Sequence, residues 1–250
     1  MNKPILSVVT VVYNNVRDIE NTLRSVTTQD YPNIEYLVID GGSTDGTKEI
    51  IEKYGPQISR FVSEPDKGIY DAMNKALRLA TGDYVIFMNS GDTFFDAATV
   101  SRVFASADNA DIYYGETEMI GENGKSLGRR RHKAPAVFTW KSFRYGMSVS
   151  HQAIYIRRSL TGFYDPAYQL SADIDWILHA AKKAKKIVRV DGYVARYLVG
   201  GMSKKRHRQS LRERFLIMKK HYGLFPTLFN HGMIAARLVL ARFLGVKKAS

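Results

Sequence analysis

The chain has no cysteine. That excludes a disulfide framework, a thiolate metal site and a cysteine nucleophile, and it fits a reducing compartment. A secretory leader pattern is missing too. Residues 1–15, MNKPILSVVTVVYNN, carry one lysine and an apolar run but no small-residue cleavage site, so a first β-strand is expected there and no signal peptide. Neither the dinucleotide fingerprint nor the P-loop lysine pattern occurs. No His/His or His/Glu spacing typical of a zinc site is present, and there are no internal repeats or low-complexity tracts. Acids are scarce at one end. From Lys204 to Ser250 there are twelve Lys/Arg and one acid, Glu213, for a net of +11. Residues 1–203 hold 25 basic and 23 acidic residues. A nearly neutral body with a basic tail points to an anionic surface as partner, a membrane or a nucleic acid.

What is present is a 250-residue chain, 45% hydrophobic, enough for one large α/β domain with a core. Residues 5–12 are a β-branched apolar run, expected as a buried central strand. A helix is expected over 17–26, where Ile19, Leu23 and Val26 recur at spacings of four and three. Further strands are expected at 34–39, 60–63 and 84–88, with a helix over 69–79. Strand and helix alternate three times before the fourth strand. That pattern predicts a parallel sheet with helices on both faces.

Two of these strands end in small polar corners. Residues 39–47 read IDGGSTDGT, a Gly-rich turn that lets the backbone approach a ligand, followed by a helix whose N-terminal amides favour an anion. Residues 81–96 read TGDYVIFMNSGDTFFD, a buried strand closing in Asn89-Ser90-Gly91-Asp92. Ligands of open α/β sheets bind beyond the carboxyl ends of strands. A corner of this kind suits a phosphate-bearing ligand with a divalent cation. Asp92 equally suits a plain helix cap.

Four stretches together resemble the inverting family 2 glycosyltransferases of GT-A fold, of the bacterial surface-polysaccharide type. They are SVVTVVYNN at 7–15, IDGGSTDGT at 39–47, EPDKGIYDAMNKAL at 64–77 and GDYVIFMNSGD at 82–92. SHQAIYIRR at 150–158, SADIDWIL at 171–178 and GGMS at 200–203 resemble the acceptor half of such enzymes. The resemblance implies a Rossmann-like, mostly parallel sheet with helices on both faces. It divides residues 1–203 near 109 into a nucleotide-sugar-binding half and an acceptor-binding half, with 204–250 as a separate basic helical tail.

Site residues follow from the same resemblance. Val11 and Tyr13 should line the base pocket, with Tyr13 stacking on a pyrimidine. Asp40 should face the base or ribose; many family members carry a second acid beside it, where this chain has Gly41. Lys67 and Gly68 should lie over the nucleotide, with Asn74 holding that loop. Asn89 and Ser90 should meet the nucleotide-sugar. Asp92 is the one carboxylate left where the family usually shows Asp-x-Asp-Asp, so a weakly held Mg2+ or Mn2+ is expected there. His151, Gln152, Gly201 and Ser203 should contact acceptor or diphosphate, Gly201 and Ser203 from a turn that folds over the diphosphate. Asp173 takes the place of the catalytic base. Asp175, two residues on, points about 200° away on a helix. Without the resemblance, either acid reads simply as first-turn stabilisation of a helix.

Strands are expected at 112–114, 187–190 and 193–197, and residues 116–119 are expected to pair through a turn at 121–124. Residues 129–133, RRRHK, read as a solvated run or as a contact to a phosphate-bearing acceptor. Basic and apolar-rich helices are expected at 210–222 and 225–244. The second carries arginines and a histidine, which argues for lying in a membrane interface over spanning it; the alternative is packing on the protein's own body. The expected partners are a nucleotide-sugar donor, of UDP type by the resemblance, a lipid-linked or oligosaccharide acceptor and an anionic membrane on the cytoplasmic side, with no nucleic acid. Two rival readings stay open: a sugar-phosphate nucleotidyltransferase, and a non-enzymatic basic module binding membrane or nucleic acid.

Overall fold

The computed structural model describes residues 3–130, 132–200 and 206–243. Among the described residues nine strands form one sheet in the order β3-β2-β1-β4-β8-β6-β9-β5, where β5 is the two-residue edge strand Thr93–Phe94 and β7 pairs with β6. Its first half is parallel and assembles as the alternation predicts. β1 (Leu6–Val12) pairs with β2 (Ile34–Asp40) on one side and β4 (Tyr84–Phe87) on the other, and β3 (Arg60–Ser63) extends beyond β2. Beyond β4 the sheet becomes mixed. β8 (Ile154–Arg157) runs antiparallel to β4 and to β6 (Ile112–Ile120), and β9 (Ile187–Leu198) runs parallel to β6.

β1 is buried along its whole length, so it has apolar side chains on both faces. Leu6, Val8 and Val12 enter a core shared with α1 (Ile19–Thr27), α2 (Thr47–Lys53) and α4 (Thr99–Ala105). Val9 and Val11 enter the opposite core, with α3 (Ile69–Leu79) and α5 (Ala172–Lys183). The buried exceptions, Ser7 and Thr10, donate their hydroxyls to Glu35 Oε2 at 2.6 Å and to the Met88 carbonyl at 2.8 Å, and so leave no bare polar atom.

Three expectations change. The two short strands at 187–190 and 193–197 are one twelve-residue strand, β9. Pairing with β6 continues across Gly192, whose φ of +79° and the register irregularity opposite it absorb the interruption. Likewise 112–114 and 116–119 are one strand, β6, which turns at Gly121–Gly124 onto β7 (Ser126–Arg129). The largest change concerns the basic tail. α6 (His207–Tyr222) is not separable from the body. Ile217 and Met218 lie in the same core as α5, and Glu213 accepts the backbone N–H groups of Gln169 and Leu170 at 3.1 and 2.8 Å. The packing therefore does not change at the expected boundary after residue 203. α7 (Leu224–Phe243) follows after Gly223.

Candidate active site

The parallel half of the sheet brings three strand ends to one edge. Val12 on β1 stands beside Asp40 on β2, and the Ser90 N–H just past β4 donates to the Val11 carbonyl at 3.2 Å. Asn15 Nδ2 donates to Ser90 Oγ at 2.8 Å, and Asn14 and Ser43 join the first two corners, with Asn14 N–H on Ser43 Oγ at 2.8 Å. Loops distant in sequence thus form one rim where ligands of such sheets bind.

Tyr13 stands on this rim, 66% exposed. Its ring lies over Gly41: a Cβ at 41 would meet the Tyr13 ring at 3.3 Å and Asp66 Oδ2 at 3.1 Å. The missing side chain at Gly41 makes room for this aromatic. Val11 and Asp40 depart from their expected placement. The Val11 side chain is turned into the core, because alternation along β1 points it there. Asp40 is fully buried, and its carboxylate accepts Ser43 N–H, the Ser43 hydroxyl and, at 2.7 Å, the Ser63 hydroxyl. It braces the Gly-rich turn and offers no open face.

The loop at 64–68 leads into α3. Lys67 and Gly68 are exposed on it, Gly68 with a φ of +117° that favours glycine. Asn74 does not hold this loop. Its amide is spent on the Tyr164 backbone, donating to the carbonyl at 2.9 Å and accepting the N–H at 2.7 Å. The neighbouring Lys75 does the holding, through Glu64 at 2.8 Å, Asp66 at 2.6 Å and the Pro65 carbonyl at 3.1 Å. Asp71 adds a bond from Lys67 N–H at 3.1 Å.

Asp173, in the first turn of α5, meets residues from two other parts of the chain. Its Oδ1 is 3.4 Å from the Tyr70 hydroxyl at the start of α3, and its Oδ2 is 3.6 Å from His151 Nδ1. His151 Nε2 lies 3.1 Å from Asn89 Nδ2. Arg130, just past β7, donates to Ser150 Oγ at 2.9 Å. Burial pulls its guanidinium below the usual range while the nearby Asp173 charge pulls it back up. Burial and the Asp173 charge both push the Tyr70 hydroxyl well above its ordinary value, so it stays a proton donor.

The acids of the site are held very differently. Asp40 is enclosed by its serines. Asp175 accepts His221 Nε2 at 2.6 Å and Lys220 Nζ at 3.1 Å; burial raises its carboxyl, and these two bonds outweigh it and leave it below the usual range. Asp92 is 5% exposed, with Leu198 N–H on Oδ1 at 3.2 Å and Gln152 Nε2 on Oδ2 at 3.3 Å. Burial pushes its carboxyl up to about 7, against the pull of His151 and these two bonds. The Asp173 side chain is 17% exposed against 13% for Asp175, and what sets it apart from the other three is that both its neighbours lie beyond ordinary hydrogen-bond length.

For a divalent cation, the corner provides Asp92 and the Asn89 side-chain oxygen, which is buried without a partner. Among the described residues no three His, Cys, Asp or Glu side chains gather as a cage. Mg2+ and Mn2+ are commonly held by one or two carboxylates completed by substrate phosphates, and the donor set fits that kind of site. Gly201 and Ser203 lie outside the described residues. Reading the sequence alone overlooked Tyr70, Lys75, Ser43 and Ser63. Only Lys75 left a signal, a lysine nine to eleven residues beyond two loop acids on a helix that folds back.

Polar strand ends on a parallel half-sheet, with a loosely held acid opposite them, define an α/β enzyme that binds its ligand at the sheet's edge. The glycosyl transferase family 2 model matches residues 7–162, and the chain belongs to that family. Glycosyltransferase Rv1514c of Mycobacterium tuberculosis, itself uncharacterized, is 33% identical over 184 residues, 71% of this chain and 69% of its own. Among solved structures, Staphylococcus aureus TarS 1–349 in complex with UDP-GlcNAc aligns with a TM-score of 0.69 at 21% identity, covering 91% of this chain and 72% of that one. The mannosyltransferase PcManGT of Pyrobaculum calidifontis, in complex with GDP-Man and Mn2+, aligns with a TM-score of 0.66 at 17% identity, covering 99% and 82%. The fold is that of the GT-A glycosyltransferases.

Proposed function

We propose that this glycosyltransferase moves one sugar from a UDP-sugar to a hydroxyl of a lipid-linked or oligosaccharide acceptor in surface polysaccharide synthesis, with inversion and with Asp173 as general base. The observation that carries this is the contrast among the acids: Asp173 is partly exposed and loosely held, whereas Asp40, Asp92 and Asp175 are committed to hydrogen bonds or buried. A base must have a lone pair free for the acceptor proton, and such help is worth about 10²–10⁴ in rate. The ring of His151 and the Tyr70 hydroxyl orient the carboxylate without consuming it.

Tyr13 on its glycine floor offers a face for the base, and Lys67 and Gly68 lie on the loop braced by Lys75 and Asp71. Arg130 keeps positive charge near Asp173 for the diphosphate or the acceptor. Asp92 and Asn89 would hold a Mg2+ or Mn2+, which when bound supplies charge neutralisation at the leaving diphosphate. The UDP-GlcNAc held by TarS supports a uridine donor.

The test is thermal unfolding against a panel of nucleoside diphosphates with and without Mn2+, followed by product analysis with the matching sugar donor. A ligand present at 100 times its Kd should stabilise the fold by about 2.7 kcal/mol. Uridine diphosphate should be selected and released on turnover. Release of pyrophosphate would instead assign a nucleotidyltransferase.

A further inference from the structure

The last described helix has its polarity inverted. A surface helix normally buries an apolar stripe and shows water a polar one. On α7 the residues turned toward the body are Thr227 and Asn230, 1% and 6% exposed, and His231, whose ring meets the edge of Phe215 on α6 at 5.3 Å. The residues turned outward are Phe225 at 82%, Phe229 at 67%, Leu228 at 50% and Met233 at 38%. At about 100° per residue these four fall within an arc of roughly 140°, opposite Thr227, Asn230 and His231. A contiguous apolar patch of this kind on a soluble protein marks an interaction surface.

We propose that the outer face of α7 docks on an anionic lipid surface, with its phenylalanines, Leu228 and Met233 in the boundary between headgroups and acyl chains. Charge chooses this occupant. The segment from Lys204 onward carries a net of +11, and Arg208, Arg212, Arg214 and Lys219 are exposed on the adjoining helix. A second copy of the chain docked on the same face would bring two such segments together, whereas anionic headgroups neutralise them. Among the described residues no helix is long and apolar enough to cross a membrane, so α7 lies along the surface. Because α6 packs on α5, whose first turn carries Asp173, docking sets the base at a fixed distance from the bilayer. That consequence rests on the proposed transfer reaction; the docking itself does not.

The experiment is co-sedimentation of the full chain with phosphatidylglycerol-containing and with pure phosphatidylcholine vesicles, at low and high salt. The full chain is expected to bind the anionic vesicles at least about tenfold more tightly, since each basic contact is worth about fivefold. High salt should weaken that binding without abolishing it. The double variant F225S/F229S should lose at least tenfold on anionic vesicles while keeping its thermal midpoint and its nucleoside-diphosphate binding. Undiminished vesicle binding by F225S/F229S, or no vesicle binding by the full chain, overturns the proposal. A full chain that is dimeric by light scattering, and becomes monomeric as F225S/F229S, gives the face to a second copy and overturns it equally. Nucleotide binding, read on the same samples, reports on the transfer reaction separately.

Discussion

Asp173 and Asp175 sit two residues apart at the start of one helix, and their surroundings give them different tasks. Asp173→Asn should fold and bind nucleoside diphosphate but lose about 10²–10⁴ in kcat, because an amide cannot take the acceptor proton. Asp175→Asn should keep most of its activity at low temperature. It weakens two charge-assisted bonds to α6, so its stability should drop by about 2 kcal/mol. Steady-state kinetics and denaturant unfolding of the two variants check the contrast; equal kinetic losses would remove the base assignment. Asp92 has its own signature. Its folded-state pKa of about 7 lies above the roughly 3.9 of an unfolded chain. Between those values the folded state keeps a proton that the unfolded chain has released, so stability should fall as pH rises from about 4 to about 7. Asp92→Asn should be flat over that window and should gain on the parent chain by up to about 4 kcal/mol at pH 8. Mn2+ together with nucleoside diphosphate should narrow the gap if Asp92 binds the cation. Unfolding of both proteins at pH 5 and pH 8, with and without the cation, measures this.

At the scale of elements, α3 works in two directions from neighbouring residues. Lys75 and Asp71 hold the 64–68 loop, and Asn74 ties the helix to Tyr164, ninety positions away. The motif at 64–77 was legible as a unit because the side-chain bonds that brace its loop, from Lys75 and Asp71, are local. The Asn74 contact was not, since no local spacing encodes a partner that distant. Lys75→Met should free the loop: KM for the donor is expected to rise about tenfold with a modest drop in thermal midpoint, since Glu64 faces solvent but the Asp66 side chain is largely buried. Initial rates against donor concentration test it. A raised KM together with a collapsed midpoint would instead give Lys75 a purely structural role. Glu213 acts the same way between α6 and the segment entering α5, and its burial among backbone N–H groups is what makes that helix part of the body.

For the molecule as a whole, charge and packing divide the C-terminal region at different places. Composition sets the break near residue 204. The core sets it after α6, where Ile217 and Met218 are 0% and 5% exposed. A chain ending at residue 203 should therefore expose α5 and aggregate, since uncovering those two side chains and the α5 face they cover costs several kcal/mol at about 1.5–3 kcal/mol per large apolar side chain. A chain ending at Gly223 should fold, keep nucleoside-diphosphate binding and lose vesicle binding. Size-exclusion chromatography and unfolding curves of the two truncations separate these outcomes; a soluble, cooperatively folding chain ending at 203 would restore the earlier boundary.

The sequence by itself determined the alternation of strands and helices, the parallel half-sheet and the polar corners at the ends of β1, β2 and β4. Those features rest on periodicity and on short turns, whose physics is local. It also determined the uneven charge balance between a nearly neutral body and a basic tail, which needs only counting. Tertiary structure decided which polar groups in the corners remain free. Asp40 is enclosed by Ser63 from another strand, and Asp92 is covered by Leu198, 106 positions on. Asp173 is left open because its neighbours Tyr70 and His151 stop just short of it. Burial and hydrogen-bond satisfaction depend on partners brought together by the fold, so the same residue type reads alike in sequence at all of these positions and takes its role only from the side chains that pack around it.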